Sequence, residues 1–400
     1  LHWERKPLGQ WKYNGKDTNR IVIDNFQGNQ NFIGQPQVVR ERNGRWLMYF
    51  WHHENGYRYT IAHSDDGLRW WVDTPMKWVF LDSCLNGKAR LENGWAPLNE
   101  GLSDEEKENL WRLKSMRTND ASYVYYNEQM DRYEYYAQWM VPAIPDRQVK
   151  EDNCPSAHRY IQRRISVDGY EWSTPEIIII PDRKDPWDLQ FYHLAVQWHE
   201  DWMIGSLGHY RVEAEQQTQD LELVFSKDGK KWERPLRGGF IPRGGPGEHD
   251  REGIYPPNAW IDEKITWLCL YAGTPVKHKN ARVKDPKLVT KIMAARWPKH
   301  RFIGLAAGKT PGGFISDVFI PQGDFISIDA DIRGWLKAEL CDVFGRKIDG
   351  YHLDDFAIIK GDDTGHILRW RHNDTAARFK YDAVRIRFEY QDGEIYGIWY

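Results

Sequence analysis

The sequence predicts an all-β protein: a five-bladed β-propeller over residues 1–310, followed by a β-sandwich over residues 311–400. Three observations lead there. A seven-residue motif recurs along the chain, two aromatic-rich strands precede each copy, and the pattern changes character near residue 311.

The motif reads Ser64-Asp65-Asp66-Gly67-Leu68-Arg69-Trp70, then Ser166-Val167-Asp168-Gly169-Tyr170-Glu171-Trp172, then Ser226-Lys227-Asp228-Gly229-Lys230-Lys231-Trp232. Leu1-His2-Trp3 reads as the tail of a further copy. Asp and Gly specify a tight turn, Gly supplying a positive φ and Asp accepting from nearby backbone amides, and the Trp is then free to pack back between sheets. The strands ahead of the copies cover residues 37–40 and 46–51, 121–126 and 133–140, and 193–198 and 202–207. Two strands, a turn and a motif-bearing strand make one blade.

The motif tryptophans are separated by 67, 102 and 60 residues, so the long interval holds an insertion. Residues 84–114 supply it, with a short helix expected where Ser103-Asp104-Glu105-Glu106 provides an N-cap and an acidic first turn. A fifth unit is expected from Ile254 through residues 267–271 to residues 303–306. Beyond residue 311 the segments 325–330, 335–340, 367–370 and 384–388 alternate as strands between polar turns and carry no copy of the motif, the pattern of an appended sandwich. Trp335 and Trp370 are expected in its core.

The formal charge of −3 leaves no basic excess to neutralise phosphates, so a nucleic-acid partner is not expected. No apolar run is long enough to span a bilayer. Cys84, Cys154, Cys269 and Cys341 are too widely spaced for a zinc pattern and are expected as buried thiols. The 21 Trp and 21 Tyr suit two roles, plugging gaps between radial sheets and stacking on sugar rings. The chain opens Leu1-His2-Trp3-Glu4, without the basic-then-apolar pattern of a signal peptide.

Taken in order, Trp3-Glu4-Arg5-Lys6-Pro7-Leu8-Gly9, Tyr13-Asn14-Gly15, residues 19–24, Phe191-Tyr192-His193, residues 241–247, Gly253-Ile254-Tyr255-Pro256, residues 384–388 and Glu394-Ile395-Tyr396 resemble the five-bladed propeller glycosidases of the invertase and arabinanase type. More narrowly, they resemble a bacterial branch that ends in a β-sandwich. The resemblance implies a glycoside hydrolase acting on a poly- or oligosaccharide, secreted, periplasmic or at the cell surface, with no cofactor and no metal. It also implies a third acid that orients the sugar. Members of that branch carry a further strand set ahead of the Leu1-His2-Trp3 segment, so residue 1 is expected to fall inside the first blade.

In a propeller the innermost strands converge on a central funnel, and hydrolysis of a glycosidic bond there needs two carboxyl groups. Asp120, at the entry to the inner strand of the second complete blade, is the first candidate. Asp188 holds the equivalent place ahead of Phe191-Tyr192-His193, with Asp185 nearby. Glu248 and Asp250, just before Gly253-Ile254-Tyr255-Pro256, form the third group, and family position favours Asp250. Trp51, His53, Arg117, Tyr192, His193, His209 and Tyr255 are the candidate sugar contacts, with His52 and Tyr210 beside them. No His-x-x-x-His spacing points to a metal. Two other readings stand beside hydrolysis. One is a polysaccharide lyase using His193, His209 or Tyr192 with Arg211; the other is a propeller that binds sugar without reacting.

Overall fold

The computed structural model describes residues 11–13, 16–18, 22–26, 33–41, 43–52, 58–80, 121–142, 152, 157–212, 217–257, 259–278, 285, 288–373 and 375–400. The chain is all-β: among the described residues the one complete helical element is a 3-10 turn, Ala377–Phe379. The helix expected near residues 103–113 lies outside them. No helix among them is long and apolar enough to cross a membrane. The chain divides into two compact units, Leu1–Ile261 with Cys269–Ala295, and Asp262–Leu268 with Arg296–Tyr400.

The first unit opens with a small hairpin, β1 (Trp11–Tyr13) and β2 (Lys16–Thr18). A sheet follows from β3 (Val22–Ile23), β4 (Ile33–Arg40), β5 (Trp46–His52), β6 (Arg58–Ser64), β7 (Arg69–Val72) and β8 (Trp78–Val79), ordered β3-β7-β6-β5-β4 with β8 on β6. The second sheet runs β12-β11-β10-β9, from β9 (Tyr123–Asn127), β10 (Arg132–Pro142), β11 (Ala157–Ser166) and β12 (Glu176–Ile179). The third holds β13 (Leu189–His199), β14 (Trp202–Arg211) and β15 (Thr218–Ser226) in sequence. It continues, through one parallel pair between Gln219 and Gly253, into β16 (Gly253–Tyr255), β17 (Ile261–Asp262), β18 (Thr266–Thr274) and β19 (Lys291–Pro298). The first long strands of the first three sheets, called the inner strands below, are neighbours: β4 packs beside β9, and β9 beside β13.

The repeated turn explains why the sheets recur. In all three copies the Ser hydroxyl accepts the Gly amide, at 2.8–2.9 Å. The Asp carboxylate accepts the two following amides at 2.8–2.9 Å, and the Trp indole donates to the Gly carbonyl at 3.0–3.1 Å. Gly67, Gly169 and Gly229 take φ of +75°, +79° and +71°, a region closed to most side chains. Two of the turns also close on the preceding sheet. The Tyr49 hydroxyl donates to the Gly169 carbonyl at 2.8 Å, and Tyr136 to that of Gly229 at 3.2 Å. Trp172 packs edge-on to Tyr49 and Tyr135, and Trp232 edge-on to Tyr136. The motif tryptophans with described partners are thus inter-sheet plugs, each such aromatic contributing about 1.5–3 kcal/mol when buried.

The second unit is one antiparallel sheet ordered β20-β24-β22-β23, with β21 also on β24. Its strands are β20 (Leu305–Ala307), β21 (Gly312–Ile315), β22 (Ser327–Cys341), β23 (Ile359–Ile367) and β24 (Arg385–Trp399). The segments expected as separate strands at 325–330 and 335–340 are one strand, β22, bent by bulges at Asp329/Ala330 and between Ile332 and Trp335. Leu305 and Ala306, expected in the fifth blade, instead pair with Ile395 and Glu394 of β24. The strand expected at 367–370 lies earlier, and Trp370 is buried in the core, its indole donating to the Ala338 carbonyl at 2.9 Å. Trp335 is half-buried and bonded to Gln391. Cys269 and Cys341 are buried thiols; Cys84 and Cys154 lie outside the described residues.

Candidate functional site

A cavity of about 280 Å3 lies where the inner strands β4, β13 and β16 meet the approach to β9. Its wall includes Gln37 of β4, Ser122 and Tyr123 at the start of β9, Tyr192 and His193 of β13, Tyr255 of β16, and His278 beyond β18. Residues far apart in sequence converge because the inner strands run side by side.

At this wall the backbone departs from regular geometry in three places. β4 shifts register between Gly34 and Gln37, and Gln35 inside the bulge has φ +47°. Ala121, just before β9, has φ +49°. In β13 the register shifts between Phe191 and Leu194, so Tyr192 and His193 stand opposite the single residue Gly208. A Cβ on Gly208 would lie 2.1–2.5 Å from the His193 ring, so only glycine lets the imidazole lie over β14. Bulges re-aim side chains, and they gather beside functional sites.

His193 is 2% exposed, and neither ring nitrogen has a hydrogen-bond partner. Gln219 acts on the ring from outside hydrogen-bonding geometry. Burial pushes its pKa down from 6.5 to about 3, so the ring is neutral, with one N–H and one lone pair to offer. Tyr123, Tyr192 and Tyr255 surround it at ring distances of 6.0–6.3 Å. The Gln37 and Gln219 side-chain oxygens are likewise buried without a partner. Buried polar groups are normally satisfied, so this cluster has hydrogen-bonding capacity to spend on a ligand.

His278 ties the wall together. Its Nε2 lies 3.1 Å from the Tyr192 hydroxyl, and its Nδ1 lies 3.0 Å from the Tyr255 hydroxyl and 3.1 Å from Gln219 Nε2. Its own amide is anchored on the Gln217 carbonyl. Behind Tyr192, the buried Arg159 pairs with Asp152 at 2.8 Å and packs over the Tyr192 and Tyr210 rings. Tyr210 donates to Asp152 at 3.0 Å.

The residues singled out from sequence divide into three sets. Tyr192, His193 and Tyr255 line the cavity together. Asp188, Asp250 and His209 are buried but do not line it. Asp188 accepts from the Arg211 guanidinium at 2.6–3.0 Å. Asp250 accepts from the Tyr271 hydroxyl at 2.8 Å and the Gly244 amide at 3.1 Å. His209 contacts Glu222 at 2.5 Å, while Asp185 and Glu222 are bridged by Arg234. Glu248 is exposed. Asp120, Arg117 and His53 lie outside the described residues, as does the side chain of Trp51; Asp120 directly precedes the wall residue Ala121. Sequence reasoning passed over Gln37, Ser122, Gln219 and His278, which carry no motif. Gly208 was a usable signal, since glycine inside a strand marks a bulge or a close approach.

No protein-family model matches the chain, and no curated protein does. Among solved structures it is similar to an N-acetylgalactosamine deacetylase from F. plautii in complex with blood group B trisaccharide, at 15% identity over 67% of this chain and 73% of that one, TM-score 0.40. It is similar to a Bombyx mori GH32 beta-fructofuranosidase, at 9% identity over 91% and 90% of the two chains, TM-score 0.40. A glycosyl hydrolase from Bacteroides ovatus is similar at 10% identity over 62% and 65%, TM-score 0.39. The activities named differ from one another, and overlap of this extent bears on neither the substrate nor the reaction of this chain.

Proposed function

We propose that this chain is a glycoside hydrolase, built as a five-bladed propeller with an appended sandwich, that holds a sugar ring in the cavity at the head of its inner strands. The observation that carries the reading is the wall itself. Tyrosine rings suit the C–H faces of a sugar, and the buried, unpartnered groups of Gln37 and His193 suit its hydroxyls. Asp120 is the proposed acid because it directly precedes the wall residue Ala121 in the chain. In the proposed reaction one carboxyl group protonates the glycosidic oxygen as the C–O bond breaks, and a second carboxylate attacks the sugar carbon or takes a proton from the incoming water. Asp188 and Asp250 stand outside the lining, on Arg211 and on Tyr271, and are proposed as the orienting third acid and the second carboxylate from their places in the sequence alone.

The test is release of reducing sugar from a panel of plant and microbial polysaccharides, with Asp120→Asn as the probe. Losing an acid–base group lowers kcat by about 10²–10⁴-fold, and a variant with full activity removes Asp120 from the mechanism. One observation favours a second reading. The described wall carries tyrosine and histidine, which can serve as the base of a lyase that eliminates across a uronate, and no carboxyl group. Such an enzyme yields a product with the ultraviolet band of an unsaturated uronate and keeps that activity in the Asp120→Asn variant.

A further inference from the structure

Among the described residues two tryptophans are exposed, Trp187 at 70% and Trp399 at 37%. The motif tryptophans plug joints between sheets; Trp187 plugs none, and no described residue gives it a ring contact or a hydrogen bond. Resting on the site proposed above, we infer that Trp187 is its outer platform, on which a second sugar unit of the substrate stacks while another occupies the cavity.

Exposure alone carries little, since single apolar residues are common on surfaces. What sets Trp187 apart is its support. It lies in the connection from β12 to β13, and a buried carboxylate is held on either side of it. Asp185 accepts from Arg234 at 2.7–2.8 Å and Asp188 from Arg211 at 2.6–3.0 Å, with their side chains 2% and 0% exposed. Asp182, further out, accepts from Arg237 at 2.6–2.7 Å. The Leu189 amide donates to the Pro186 carbonyl at 3.1 Å, closing a turn around Trp187, and the Pro186 ring fixes its own φ. The backbone ordering that presents the indole is therefore complete before a ligand arrives, and little of it is lost on binding.

The connection ends at the wall of the cavity. Asp188 is bonded to Arg211, and the next residue, Val212, is buried with Tyr192 and Tyr210 in a cluster against which Ala121 packs. Tyr192 and Ala121 line the cavity. Trp187 stands five residues ahead of Tyr192, at a Cα separation of at most about 18 Å. That is within the reach of a short sugar chain with one ring in the cavity. The indole is a large flat surface for the C–H face of a sugar, and stacking there removes from water apolar area that is otherwise in it. The occupant that reaches both places is an oligo- or polysaccharide; a free monosaccharide reaches only one.

Affinity electrophoresis of the full chain through gels holding inulin, arabinan, galactan or xylan tests this, beside reducing-sugar release from the same four polymers. At least one polymer is expected to retard the parent. Trp187→Ala is expected to weaken that binding about tenfold, while Trp187→Phe, which keeps a ring, retains most of it. Melting temperature should match the parent in both variants, because the side chain is exposed. On the polymer Trp187→Ala should raise KM with kcat little changed, and on the shortest oligosaccharide cleaved it should match the parent. No retardation of the parent, equal retardation of Trp187→Ala, or an equal loss on the short oligosaccharide overturns the inference. Polymer hydrolysis with the parent's KM in Trp187→Ala overturns it while leaving the proposed hydrolase standing. Retardation that depends on Trp187 without any release of sugar supports the platform and counts against the hydrolase.

Discussion

The Ser-x-Asp-Gly turns and the wall of the cavity are built from similar material, aromatic rings interleaved with small polar groups, and their polar groups are treated in opposite ways. In the turns the Ser hydroxyl, the Asp carboxylate and the indole N–H have partners within seven residues. At the wall, Gln37, His193 and Gln219 hold buried atoms with none. The turns spend their hydrogen bonds on the fold, whereas the wall withholds them. The lesson is energetic: removing a satisfied group strands its partner, while removing an unsatisfied one relieves a cost.

Substitutions in the two regions should therefore differ in size and in sign. The largest stability loss is expected where buried charges are mutually satisfied. Arg234 bridges Asp185 and Glu222, and Arg234→Met leaves both carboxylates buried without it, at a cost of about 3–5 kcal/mol in denaturant unfolding. A smaller loss is expected at a turn. Gly169→Ala puts a Cβ 2.6 Å from the Tyr49 hydroxyl at φ +79°, costing about 1–3 kcal/mol. A loss as large as that at Arg234 would mean that the inter-sheet joint, not the ion pairs, dominates.

At the wall the expectation reverses. His193→Phe removes unsatisfied nitrogens, so stability should stay within about 1 kcal/mol of the parent or rise, while sugar binding in the cavity is lost. Its clearest mark is in acid. The folded pKa of His193 lies near 3 against an ordinary 6.5, so between those pH values the unfolded chain binds a proton that the folded chain refuses. Stability then falls as pH drops through 6.5, by about 1.4 kcal/mol per unit, and levels off near pH 3. His63 and His158, also pushed down by burial, contribute in the same direction. Melting temperature followed from pH 7 to pH 4 should fall less steeply in the variant. An identical slope would show that His193 is already satisfied.

The same contrast decides what could be read from the amino acids alone. The turns were legible because their partners are local: Ser166, Asp168, Gly169 and Trp172 close on one another without help. The inner strands were legible from their aromatic runs, and Tyr192, His193 and Tyr255 from their place on them. Gln37, Gln219 and His278 were not, because their meaning arises only when β4, β15 and the segment after β18 come together. Asp188 and Asp250 precede β13 and β16, yet Arg211 and Tyr271 hold them, and those partners lie 23 and 21 residues away. Leu305 and Ala306 were assigned to the wrong sheet for a similar reason. An alternating segment does not say which edge it will join, and theirs is β24, near the end of the chain.

The hydrogen bonds from Tyr49 to the carbonyl of Gly169 and from Tyr136 to that of Gly229 point the same way along the polypeptide. Each tyrosine waits for a turn that is synthesised later, more than ninety residues later in both cases. A chain emerging from the ribosome can therefore lay down a sheet well before it can lock that sheet in place. The half-built protein carries tyrosine hydroxyls awaiting their acceptors, which makes the interval between successive sheets the period in which mispairing and chaperone capture compete with folding.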